Sequence, residues 1–420
     1  MKKKVLAILL AAAMVFSMAA CGGKEDTNAD AGTQENVAQE DGAQEDGAQA
    51  DAGAQADSGD AATGESGAAY EIPASYPEKT VKIGVELYDP ADGETIAMQE
   101  YFKALQDAGL NVEFIYSEAL DSAEAELKFI DDCYNAGCQG IIGYYNVALG
   151  ETVQRCVDYG MYYWGAALDY PEVIAQFESN DYVLDMVGYG NGDYEAGYAI
   201  AEYFAVEGVK DVVWASGGAD FGVTMFVNRQ QGFMDAATEA GMNVITVSGF
   251  PGDAFFADQA AALSEDIDAV GASFNGVDFW AQPIATAGKT ETVKLGTIGS
   301  INDSYVQAFE NGSVAFLASG NVQRFGIGVA LIVNAVDGNA EALQVDGKIG
   351  SYVTSMWLID SPDLAKQYQE LSQNAGVYRY EDLMSVIVNV NPNANVDTLK
   401  ALTEGGNDLE SIEIMHQTNN

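Results

Sequence analysis

The run Val81-Lys82-Ile83-Gly84-Val85-Glu86-Leu87-Tyr88-Asp89-Pro90 decides the fold. Its first seven residues read as a buried strand, and Asp89-Pro90 closes it with turn chemistry. A helix follows from Ile96 to Ala108 and stops at Gly109. Asn111 to Tyr116 makes a second strand, and Ser122 to Asn135 a second helix, with Ser122 as N-cap and Gly137 at its end. The alternation continues through strand Ile141 to Tyr145, helix Gly150 to Tyr159 and strand Tyr162 to Leu168. Strands and helices in this order predict an α/β, doubly wound parallel sheet.

After Gly188-Tyr189-Gly190-Asn191-Gly192 the same pattern begins again. Helices are expected over Tyr194 to Ala205, Met225 to Ala240 and Asp258 to Leu263. Strands are expected over Asp211 to Ser216, Val244 to Val247, Ala269 to Phe274 and Val293 to Ile298. Two such sets in one chain predict two Rossmann-like lobes, and the glycine-rich stretch between them reads as a hinge crossing. The glycines there have the wrong spacing for a dinucleotide fingerprint and do not follow the first strand. No P-loop occurs, and His416 is the only histidine, which removes Ser-His-Asp and Cys-His catalysis. No carboxylate pair is marked for glycoside hydrolysis. The chain is expected not to be an enzyme and to need no cofactor.

Four segments carry a family resemblance: Asp89-Pro90, Leu168-Asp169, Asn228-Arg229-Gln230-Gln231-Gly232-Phe233 and Phe274-Asn275-Gly276. In order and spacing they resemble the type I periplasmic sugar-binding proteins, the ribose- and galactose-binding receptors of ABC transporters. The likeness runs from about Thr80 to Val390. It implies two lobes joined by a hinge that close on a sugar or similar polyol and deliver it to an ABC permease. The same fold also serves ligand-presenting sensors for a kinase or chemoreceptor, and receptors for nucleosides and other non-sugars. The implied ligand-binding residues are Asp89, Asp169, Arg229, Phe250, Asn275 and Ser300. Their chemistry suits a polyol: carboxylates accept from hydroxyls, a guanidinium donates to two oxygens, and an amide does both. The chain departs from the family at two places. Ser300 stands where an acid is usual, and Ala91-Asp92-Gly93-Glu94 replaces the aromatic pair after the first strand, so a ligand other than ribose is implied.

The N-terminus sets the compartment. Lys2, Lys3 and Lys4 precede an apolar run, Val5 to Phe16, followed by Ser17-Met18-Ala19-Ala20-Cys21. The run is shorter than the about 20 residues that span a bilayer, so it reads as a signal peptide over residues 1–20. Met-Ala-Ala-Cys resembles a bacterial lipobox, which makes Cys21 the lipidation site and the mature N-terminus. Residues 21–76 are acidic, Gly/Ala/Gln-rich and poor in apolar side chains, the composition of a disordered linker. The expected protein is extracytoplasmic, lipid-anchored to the cell membrane and monomeric.

The expected lobes are 77–188 with about 319–348, and 189–318 with about 349–392, where Leu383 to Val390 returns as a strand. Residues 393–420 remain as a tail. A formal net charge of −46 leaves no basic face for a phosphate backbone, so nucleic acid is excluded as a partner. Cys133, Cys138 and Cys156 form no metal-ligand spacing, and Cys133 and Cys138 read as small packing residues at a helix end. Asn391-x-Asn393-x-Asn395-x-Asp397 lacks the glycine and glutamate of a calcium loop and reads as a polar turn. No metal site is expected.

Overall fold

The computed structural model describes residues 70–144, 147–166, 170–188, 192–348 and 350–419. The signal peptide, Cys21, nearly all of the linker, and Asp169 lie outside the described residues. The strands are β1 (Tyr76–Val85), β2 (Leu110–Tyr116), β3 (Gly140–Gly143), β4 (Tyr162–Gly165), β5 (Met186–Gly188), β6 (Asp211–Gly217), β7 (Asn243–Ser248), β8 (Ala269–Ala272), β9 (Lys294–Gly299), β10 (Phe316–Ser319), β11 (Ser351–Val353) and β12 (Trp357–Ile359).

The first sheet runs β2-β1-β3-β4, all parallel. It extends through a parallel bridge from Tyr163 to Val183 toward β5, which pairs with β11. The second sheet runs β7-β6-β8-β9-β10-β12, parallel except for β12. Both lobes share the order 2-1-3-4. Each therefore has a switch point beside its first strand, where loops leave in opposite directions and open a crevice at the carboxyl edge. Trp164 on β4 and Trp214 on β6 are fully buried, which makes them core rather than ligand plates.

Local signals in the sequence explain the helix ends. Ser122 accepts from the amide of Ala125 at the start of the helix Ala123–Ala136, and Gly137, at φ +80°, ends it. Two helices of the second lobe, Gly192–Val206 and Thr224–Ala240, cross where both carry glycine. A Cβ on Gly197 would stand 1.9 Å from the Arg229 carbonyl oxygen, and one on Gly232 1.9 Å from that of Tyr194. Phe233, next to Gly232, stacks on Trp214 with ring centroids 4.2 Å apart.

The C-terminal quarter differs from expectation. The helix Phe325–Val336 is buried on nearly every side and packs on β1, β3 and β4. Of the segment 349–392, expected in the second lobe, β11 instead pairs with β5. β12 joins the second sheet, and the helix Pro362–Ser372 packs on the helix Asp303–Glu310. Leu383 to Val390 is not a strand: it continues the helix Tyr380–Met384 into turns against the helix Phe325–Val336. The expected tail is two capped helices, Val396–Glu404 and Leu409–Thr418. Asn395 accepts from the amides of Asp397 and Thr398, so the asparagine-rich run is a turn and a helix cap.

Gln323 ties two crossings between the lobes together. Its amide donates to the Leu371 carbonyl (2.9 Å) and its oxygen accepts from the Val377 amide (2.8 Å).

Candidate ligand cleft

On the second lobe, the helix Thr224–Ala240 starts just past β6 and carries Arg229 inward. Arg229 Nε donates to Asp193 Oδ1 at 2.8 Å, and Nη1 donates to the Ser273 carbonyl at 2.8 Å. The guanidinium also lies 5.7 Å from the Phe226 ring centroid. Arg229 thus joins the helix that follows the hinge to the loop leaving β8, and two of its donor directions are occupied by protein. The motif Arg229-x-x-Gly232-Phe233 serves the helix crossing and the core as much as the cleft.

Around Arg229 stands a nest of phenylalanines. Phe250 contacts Phe221 (6.2 Å), Phe226 (5.6 Å) and Phe274 (5.9 Å), and Phe274 contacts Phe226 (5.5 Å) and Phe279 (5.6 Å). Such pairs each contribute about 0.5–1.5 kcal/mol beyond their buried area. Phe221 at the rim is 52% exposed, so the nest opens to solvent on one side. Asn275 follows in the left-handed region at φ +39°, its amide held by the Ile298 carbonyl at 3.0 Å. The next amide, of Gly276, donates to Thr297 Oγ1 at 2.8 Å. Ser300 stands one residue beyond β9, half-buried.

The first lobe contributes a different set. Asp89 follows β1, but one carboxylate oxygen accepts from the Ala91 amide at 2.9 Å. Asp92 caps the helix Gly93–Ala108, accepting from the Glu94 amide at 2.9 Å and that of Thr95 at 3.4 Å. Buried Glu86 accepts from the amide of Tyr144, the residue after β3, at 3.2 Å. The Tyr144 ring meets Phe325 edge-on at 5.3 Å. Burial pushes the Tyr144 hydroxyl well above the ordinary tyrosine range; Glu94 adds to this and Arg324 opposes it.

Asp92 of the first set and Asp278 of the second lie close enough for their charges to interact. Burial raises the Asp278 carboxyl on the second lobe, and the charge of Asp92 on the first raises it further. At the back of the crevice, Arg324 Nη1 donates to the Asn321 carbonyl at 3.2 Å, and the guanidinium lies 4.8 Å from the Phe325 ring centroid. Asn321 Nδ2 is buried with no hydrogen-bond partner among the described residues.

Arg229, Phe250 and Asn275 therefore meet on one rim, with Ser300 at the end of the strand beside β8 and Asp89 at the end of β1. Asp169 lies outside the described residues. The sequence reading passed over Asp92, Tyr144, Asp278, Arg324 and most of the phenylalanine nest, and marked Asn321 only as a polar position of open register. A signal existed for several: Tyr144, Phe274 and Asn321 each stand within two residues of a strand's carboxyl end, the position the open-sheet rule marks. Among the described residues no cluster of three or more His, Cys, Asp or Glu is placed to hold a metal ion. No helix among them is long and apolar enough to cross a membrane.

Comparison with known proteins places this geometry. No protein-family model and no curated protein matches the chain. Among solved structures, it is similar to a periplasmic solute-binding protein of an ABC transporter from Actinobacillus succinogenes with bound D-allose. That match has a TM-score of 0.57 at 15% identity and covers 69% of this chain and 100% of that one. A solute-binding protein from Bacillus halodurans with bound myo-inositol gives 0.56 at 16% identity, covering 69% and 97%. A galactofuranose-binding protein gives 0.53 at 15%, covering 70% and 98%. The fold is that of an ABC-transporter solute-binding protein. The solute-binding fold accounts for the paired sheets, the repeated crossings and the crevice at the carboxyl edges. These solved structures are of binding proteins rather than enzymes.

Proposed function

We propose that the chain is an extracytoplasmic receptor, anchored through lipid on Cys21, that closes its two lobes on a sugar or similar polyol and presents it to an ABC permease. The observation that carries this reading is the meeting of two unlike half-sites at the strand ends. Asp92 and Tyr144 stand on one lobe, and Arg229, Asn275 and the phenylalanine nest on the other. A ring-shaped polyol has an apolar face and an edge of hydroxyls. The nest suits the face, while the carboxylates, Asn275 and the unpartnered Nδ2 of Asn321 suit the edge. Asp89, Asp169 and Ser300 are proposed to complete the hydroxyl contacts. A ligand that touches both lobes favours the closed state by its differential affinity, and the closed surface then docks on the permease.

The solved proteins of this fold were found with allose, inositol and furanoses, which defines the panel to test. Thermal shift with D-allose, myo-inositol, L-arabinose and galactose should reveal at least one stabilising polyol. Phe250→Ala should then weaken it roughly tenfold by calorimetry, one ring contact's worth. Unchanged affinity in Phe250→Ala would remove the nest from the site.

A further inference from the structure

Cys133 and Cys138 bracket the end of the helix Ala123–Ala136. The Cys138 amide donates to the Cys133 carbonyl at 3.0 Å, and the Gly137 amide donates to that of Tyr134 at 3.0 Å. This pair of bonds around a left-handed glycine is the Schellman arrangement, which sets the outer two side chains against each other. The same arrangement ends other helices, with Cys156 and Met161 in the outer places at one and Ala237 and Met242 at another. Of these pairs, only Cys133 and Cys138 are both thiols. The two thiols are close enough to shift each other's ionisation, and both residues are buried, at 0% and 6% exposure.

The two cysteines differ in surroundings. Cys133 Sγ lies against β1, where a Cβ on Gly84 would come within 2.5 Å of it. Cys138 instead lines a surface hollow of about 270 Å³ together with Tyr134, Gln139, Met161 and Val336. The neighbouring Cys133 and the charge of Lys82 lower the Cys138 thiol, while the neighbouring Cys138 and burial push Cys133 up. A thiol lining a surface hollow, beside a second thiol enclosed in the core, is the arrangement of an attacking and a resolving cysteine.

We infer that Cys133 and Cys138 are a redox-active dithiol that small-molecule disulfides convert to an intramolecular disulfide. The Cys138 thiolate attacks one sulfur of the external disulfide, whose S–S bond breaks and releases one thiolate. Cys133 then gives up its proton to solvent and attacks the Cys138 sulfur, displacing the second thiolate. The protein loses two electrons and two hydrogens, and the external disulfide gains both. The bond would pin the helix end to the entrance of β3, on the side of the sheet away from the cleft.

The test is to treat the folded full chain with oxidised glutathione, unfold it, alkylate it and map its peptides. The expected result is loss of alkylation at Cys133 and Cys138 together, in one peptide lighter by two hydrogens, while Cys156 still alkylates. Cys133→Ala should retain glutathione on Cys138, Cys138→Ala should form neither product, and Cys156→Ala should behave as the parent. The proposal is overturned if the parent alkylates fully at both positions, keeps glutathione on Cys138, or pairs Cys133 with Cys156. The parent's peptide map decides the matter even where an alanine variant fails to fold.

Discussion

In the first lobe, the edge of the cleft is shaped mainly by backbone turns and caps. Asp89 closes an Asx turn on Ala91, Asp92 caps a helix, and Glu86 holds the amide of Tyr144. In the second lobe, side chains hold the edge. Arg229 clamps Asp193 to the Ser273 carbonyl, five phenylalanines lock together, and two helices touch through Gly197 and Gly232. The same strand order thus supports two kinds of construction. One half offers acids and a tyrosine on turns, and the other presents a prebuilt aromatic wall. In the proposed function, the halves divide recognition between the polar edge and the apolar face of one ligand.

Arg229→Ala is expected to have the largest effect on the second lobe. The ion pair with Asp193 is only 10% and 16% exposed, so removing one partner leaves a charge poorly solvated. A loss of about 3–5 kcal/mol in denaturant unfolding is expected. Arg229→Ala combined with Asp193→Asn should recover part of that loss. A loss within the roughly ±0.5 kcal/mol of an ordinary surface substitution would show that the clamp is not structural.

The next largest effect concerns Asp185, on the first-lobe side of the crossing into β5. Its carboxyl accepts from the Gly350 amide, and burial pushes it up to about 7. The carboxyl ionises more readily in the unfolded chain. Stability from this group is therefore complete below the ordinary carboxylate range, falls as pH rises toward 7, and stays lower above it. Asp185→Asn should stabilise the protein by about 2–4 kcal/mol at pH 8, and the gain should vanish near pH 4. A gain that does not depend on pH would rule out titration of Asp185 as its source.

The smallest effect is a control on the helix crossing. Gly150 begins a first-lobe helix where an added Cβ meets nothing within 4 Å, unlike Gly232. Gly150→Ala should stabilise by about 0.4–1 kcal/mol. Gly232→Ala should destabilise instead, because its new methyl meets a backbone oxygen. Equal effects at both positions would show that the crossing is not glycine-dependent.

The sequence was most legible where periodicity and caps agreed. Ser122, Gly109, Gly137 and Gly241 mark helix ends close to where they fall in the fold. It was least legible after residue 349. Leu383 to Ile387 is buried on every side, and an apolar run of that kind reads equally as strand or as buried helical turns. The final helices carried signals that went unread, the Asn395-x-x-Thr398 and Asp408-x-x-Ser411 caps. At the cleft, strand ends located Asn275 and Ser300. The acidic composition allowed Arg229 an acid partner, but nothing pointed to Asp193, which is 36 residues away in sequence. A ligand role and a structural role call for the same residue type, and only the fold distinguishes them.

In the proposed function, both lobes grip one polyol at their strand ends. Hydrogen–deuterium exchange tests it directly, using whichever sugar or inositol stabilises the protein. Protection should rise together in peptides spanning residues 87–96 and 140–144 of the first lobe and 219–229 and 273–279 of the second. Protection confined to one lobe, or to outer helices away from the crevice, would contradict it.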